Sequence, residues 1–136
     1  MEFVHYFDKA NRANGADNKT QARISYLRGI KTLPIKGLIN QIYGKFLRDD
    51  KRYKKAEFRY RKASIMIPRR ISVYTEWGIM LDRQGILEGQ EELFRKVIEL
   101  DPHDVEGFCN LGAVLTEKGR FEEAMVLFER PNTSKL

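Results

Sequence analysis

Cys109, His5 and His103 are the side chains in this sequence best suited to nucleophilic or metal chemistry, and their spacing decides whether they can perform it. The two histidines stand 98 residues apart. Neither belongs to a His-x-x-x-His or Cys-x-x-Cys pair, the spacings that put two ligands on one helix face or one turn. Cys109 has Gly107, Asn110 and Gly112 beside it and no base at a helical step. Nothing there would draw its thiol toward the thiolate that attack requires, so it reads as a small buried or groove-lining residue. The glycines form no phosphate loop. With no converging acid, base and nucleophile, the expectation is a non-catalytic chain needing no metal or cofactor.

Charge offers a different chemistry. Between Arg48 and Arg70 lie Lys51, Arg52, Lys54, Lys55, Arg59, Arg61, Lys62 and Arg69, interleaved with Tyr53, Phe58 and Tyr60. Basic and aromatic residues together can pair phosphates and stack bases, although Tyr53 and Tyr60 also have packing positions to fill. The plainer reading of Lys51, Lys54, Lys55, Arg59 and Lys62 is a solvated or protein-facing convex patch. Residues 1–70 carry 18 Lys+Arg and 6 Asp+Glu, whereas residues 71–136 carry 7 and 13. Such a dipole could attract nucleic acid, an anionic surface, acidic protein or the acidic end of a second copy, giving a homo-oligomer. No apolar face is left for membrane insertion, and no apolar run approaches the ~20 residues that span a bilayer.

The 136 residues, 42% hydrophobic and 32% charged, suit one globular domain over 1–136. The N-terminus lacks a signal-like stretch, and one cysteine cannot form an internal disulfide, so a cytoplasmic location is expected. The final Ser134-Lys135-Leu136 also matches a peroxisomal import signal.

The elements that position these residues follow from an internal period. Pro34, Pro68 and Pro102 are each separated by 34 residues. In that register Gly44, Gly78 and Gly112 form a column, as do Leu47, Leu81 and Leu115, then Tyr60, Phe94 and Phe128, then Tyr53, Leu87 and Phe121. Units are therefore expected at 37–70, 71–104 and 105–136, the last cut short, with a weaker one at 3–36. Tyr74, Trp77 and Leu81, then Leu93, Phe94, Val97 and Ile98, follow helical steps. Breaks are expected at Asp49-Asp50-Lys51, Gln84-Gly85 and Lys118-Gly119, and around Asn14-Gly15 to Thr20 in the first unit. Each unit is then a helical hairpin, divided from the next at its proline. Pro131 is expected to end the last helix early. The predicted fold is all-α, a right-handed solenoid of about four hairpins with a concave and a convex side.

Trp77-Gly78, Leu111-Gly112, the run Gly119-Arg120-Phe121-Glu122-Glu123-Ala124, Phe94, Phe128 and Asp101-Pro102 give residues 3–130 a family resemblance. The chain resembles the tetratricopeptide repeat (TPR) proteins. Asn40, Lys9 and Gln90 depart from its columns. The resemblance implies a scaffold or adaptor that holds a peptide or helix of a protein partner in a groove lined by the first helix of each hairpin. Opposite the packed columns lie Val4, Phe7 and Asn11; Leu38, Gln41, Lys45 and Arg48; Ser72, Thr75, Ile79 and Asp82; and Glu106, Cys109, Ala113 and Thr116. Apolar anchors with charges for register would suit that lining, and the same apolar residues are equally suited to pack between hairpins. One subclass grips a C-terminal carboxylate with Lys, Asn and Arg; its positions here are Phe7, Asn11, Ile42, Ser72 and Glu76 counted from residue 3, where only Asn11 would serve, or Gln41, Lys45, Glu76, Glu106 and Asn110 counted from residue 37, and Glu76 and Glu106 would repel such a ligand.

Overall fold

The computed structural model describes residues 19–133, with the side chains of residue 24 and of most positions from 32 to 129. Six helices follow one another: α1 (Lys19–Asp49), α2 (Tyr53–Met66), α3 (Ile71–Arg83), α4 (Gln90–Leu100), α5 (Val105–Glu117) and α6 (Phe121–Thr133). No strand occurs among the described residues. Each helix packs on its neighbours in sequence, and α1 also meets α3, so the molecule is a stack of helical hairpins.

The 34-residue columns have direct structural meaning. A Cβ on Gly78 would lie 2.7 Å from the Phe94 ring, and one on Gly112 would lie 2.6 Å from Phe128. Only a missing side chain lets the two helices of a hairpin approach so closely. In the first described hairpin Gly44 faces Tyr60 in the same way. Ala56 and Ala124 are buried on the opposing helices. Gln90, the departure in their column, is also buried, and its Nε2 donates to the Ile86 carbonyl at 2.6 Å. Leu47, Ala56, Tyr60, Ala63, Val73 and Trp77 fill one core cluster; Phe94, Leu111, Val114, Leu115 and Ala124 fill a second.

The turns also recur. Lys51, Gly85 and Gly119, one per hairpin, have φ of 60°, 72° and 79°. Glycine takes that conformation freely, while Lys51 does so against its Cβ. Gly89, at φ 89°, adds a second left-handed residue before α4, which therefore starts only at Gln90 and leaves Leu87 in the loop.

Two expectations about proline are overturned. The first concerns the boundary between units 3–36 and 37–70: Pro34 lies inside the continuous α1, and Lys19 and Thr20 are already helical. Pro34 is exposed, and Ile35-Lys36-Gly37 offers no capping side chain to begin a new helix. After Pro102, by contrast, Asp104 caps α5 by accepting from the Gly107 N–H at 2.8 Å. The remainder of the expected first unit lies outside the described residues. The second concerns Pro131, which α6 passes through to Thr133; near a helix end the missing N–H disrupts little of the ladder.

Candidate functional site

The described residues expected to line a groove fall on the first helices α1, α3 and α5. Phe7 and Asn11, with Val4, lie outside the described residues. On α1, Leu38 and Lys45 are exposed, and Lys45 makes no ion pair among the described residues. Gln41 is placed differently, at 4% exposure. Its Nε2 donates to Ser72 Oγ at 2.8 Å and to Glu76 Oε2 at 3.2 Å, while its Oε1 accepts from Arg70 Nε at 2.6 Å. A buried amide with these partners ties α1 to α3. Arg48 is half-buried and pairs with Asp49 at 3.0 Å.

Beneath Arg48 and Glu76 lies the Tyr60 hydroxyl. Tyr60 is fully buried, and neither its Oη nor Glu76 Oε1 has a hydrogen-bond partner. Burial pushes the Tyr60 phenol well above its ordinary range, partly opposed by the Arg48 charge. Phe94 and Phe128 hold the same column without a hydroxyl, so packing does not explain its presence.

On α3, Thr75 Oγ1 donates to the Ile71 carbonyl at 3.4 Å, and Ile79 packs against the second core cluster. Asp82 is exposed. A small cavity brings Ile79 and Asp82 together with Asn110, Ala113 and Glu117 of α5, and the Asn110 Nδ2 is buried there without a partner. Glu106, Cys109 and Ala113 are exposed along α5. The described candidates thus place Lys45 and Arg48 on α1, and Asp82, Glu106 and Glu117 on α3 and α5, with Leu38, Ile79 and Ala113 as their apolar members. Sequence reasoning named Asn110 only as a carboxylate-gripping position and missed Tyr60 as a polar group beside Arg48 and Glu76. The signal available was a tyrosine in a column otherwise held by phenylalanine.

The basic patch lies on and before α2. Lys51, Lys54 and Lys55 are exposed. Arg59 donates to Asn40 Oδ1 at 3.1 Å and lies 4.5 Å from the Tyr43 ring centroid; Lys62 lies 5.0 Å from that of Phe58. The chain's own cations therefore already lie over the Tyr43 and Phe58 rings. Arg59 also satisfies Asn40, whose Nδ2 donates to the Lys36 carbonyl at 2.9 Å, which explains a polar residue in an aromatic column. Among the described residues no group of His, Cys, Asp and Glu is arranged to hold a metal ion, and no helix is long and apolar enough to cross a membrane.

Residues 93–125 match the family model of the tetratricopeptide repeat. The match covers one repeat length, and the stacked hairpins around it have the architecture of such repeats. Among solved structures, it is similar to the first TPR of Spaghetti (RPAP3) bound to the HSP90 peptide SRMEEVD, at 19% identity over 72% of this chain and 78% of that one, with a TM-score of 0.65. A crystal structure of MamA aligns at 15% identity over 98% of this chain and 78% of the other, with a TM-score of 0.69. Another MamA structure, from AMB-1, aligns at 20% identity over 96% and 90%, with a TM-score of 0.65. No curated protein matches the chain in sequence.

Proposed function

We propose that this protein is a non-catalytic interaction module that holds a peptide or helix of a protein partner in the groove formed by α1, α3 and α5. The observation that carries this reading is the change of charge across three successive first helices, over a floor with apolar contacts. Exposed Lys45 stands at one end, and exposed Asp82 and Glu106 stand at the other. A ligand with apolar anchors, an acidic residue toward Lys45 and a basic residue toward Asp82 and Glu106 complements both ends. Spaghetti's HSP90 peptide, SRMEEVD, ends in acidic residues. Glu76 and Glu106 would repel such an end here.

Panning a peptide library against the wild type, Lys45→Glu and Asp82→Lys tests the proposal. Selected peptides should be dipolar, bind better than SRMEEVD, and lose affinity to each variant while circular dichroism stays helical. Equal binding to all three proteins would remove the groove from the function.

A second reading is self-assembly. Ile39, Tyr43 and Phe46 of α1 are 48%, 43% and 63% exposed, whereas Val73, Trp77 and Met80, their 34-residue counterparts, are buried against the preceding hairpin. At the other end of the described stack, Phe128 is 43% exposed while its counterpart Phe94 is 2% exposed. The two faces are the halves of the junction that repeats inside the molecule, so one copy's α6 suits another's α1.

A further inference from the structure

A cavity of about 580 Å³ lies on the side of the stack away from the groove, between the second helices α2 and α4. Its volume falls in the range of ligand-binding sites. Trp77 of α3 forms its floor, Leu81 and Leu93 supply apolar wall, and Glu57, Glu88 and Glu92 bring three carboxylates. The indole is fixed from one edge, since Trp77 Nε1 donates to Glu57 Oε2 at 3.0 Å. Over its face lies one cation of the chain itself: Arg61 Cζ is 5.1 Å from the ring centroid.

We propose that this cavity is a docking site for an arginine side chain of a partner protein, with an adjoining apolar residue on Leu81 and Leu93. The Arg61 guanidinium already displays the recognition in miniature, a cation over the π face with a carboxylate beside it. It is weakly held, because its side chain is 60% exposed and its ion pair with Glu57 is 3.7 Å long. Glu88 and Glu92, both exposed, make no ion pair among the described residues. Three carboxylates against one guanidinium leave the cavity negative, and its empty volume exceeds what one further side chain fills. An arginine entering beside Arg61 meets unpaired carboxylates; one displacing it inherits the indole face. The cavity is lined by α2, α4, the loop before α4 and the Trp77–Leu81 side of α3, none of them residues named for the groove, so the two can be occupied by different segments.

Trp77 is the protein's one tryptophan, so its emission and its indole N–H resonance report this site. The probe is acetyl-Leu-Arg-amide, with acetyl-Leu-Glu-amide as control. The arginine probe should change both signals saturably and the glutamate control should not. Arg61→Ala removes the internal competitor and should tighten binding about threefold or more, in line with an exposed cation–π contact. Glu88→Gln with Glu92→Gln should weaken it by a similar factor, as should raised salt. Both variants alter exposed side chains, and circular dichroism checks that they stay folded. No saturable change up to about 50 mM in either wild type or Arg61→Ala, equal response to the two probes, or an unchanged affinity in the glutamine variant would overturn the proposal.

Discussion

Lys51 shows how one residue can work against the repeat it belongs to. It occupies the position of Gly85 and Gly119 and shares their left-handed backbone, at φ 60°. A Cβ in that region costs about 1 kcal/mol, only partly offset by the greater unfolded-state freedom of glycine. Lys51→Gly should therefore stabilise the protein by up to ~1 kcal/mol, seen as a higher midpoint in thermal or urea unfolding. A lower midpoint would mean that the lysine side chain contributes more than its strain. The strained turn was partly legible in the sequence: the 34-residue register places Lys51 under two glycines, but backbone sign is a property of the folded turn. Tyr60 carries the opposite lesson. Its ring follows from the column, while the surroundings of its hydroxyl are set by Arg48 and Glu76, which reach it from two other helices.

Helix α4 is tied to the turn between α5 and α6 by one carboxylate. Lys118 Nζ and Arg120 Nη1 both donate to Glu91 Oε1 at 2.8 Å, and Arg95 Nε donates to its Oε2 at 2.9 Å. These bonds, that from Lys118 foremost, hold the Glu91 carboxyl down to about 2 from an ordinary 4.5. Because the folded-state value is the lower one, the stabilisation is fully present above pH 4.5 and is lost as pH falls toward 2. Unfolding midpoints of wild type and Glu91→Gln should differ most above pH 4.5 and converge on acidification toward pH 2. Parallel curves would show that Glu91 contributes no proton-linked stability. Glu91 pairs with Arg95 one helical turn away, which spacing alone suggests. Its bonds to Lys118 and Arg120 span 27 and 29 residues and arise only when α4 packs beside the next turn.

Each hairpin in the stack buries its apolar face against the neighbours in sequence, so the ends of the described helices keep faces that interior hairpins hide. Ile39, Tyr43 and Phe46 on α1 and Phe121, Met125 and Phe128 on α6 are all exposed. If one copy's α6 packs on another's α1, sedimentation should show a concentration-dependent oligomer. Phe46→Glu and Met125→Glu should each return it to monomer, because both place an unpaired charge in the junction. A wild type that is monomeric at every concentration would exclude that packing. The net charge of +6 is split between a basic N-terminal half and an acidic C-terminal half, and high salt should weaken any part of the association that depends on it.

The sequence by itself determined the 34-residue period, the helical character of the units and the columns of small and aromatic residues; that each glycine meets the aromatic ring of its own hairpin emerged only from the packing. Those features repeat, and each repetition is an independent statement of the same local packing requirement. It misled at Pro34, where equal spacing suggested equal structure although no cap follows the proline. Tertiary structure alone decided that Gln41 locks α1 to α3, and that Trp77, Glu57 and Arg61 meet at a cavity. It also decided that Asn110 Nδ2 is buried without a partner beside Ile79 and Asp82. Such features depend on distances between helices that differ in sequence from unit to unit, which a repeated pattern leaves open.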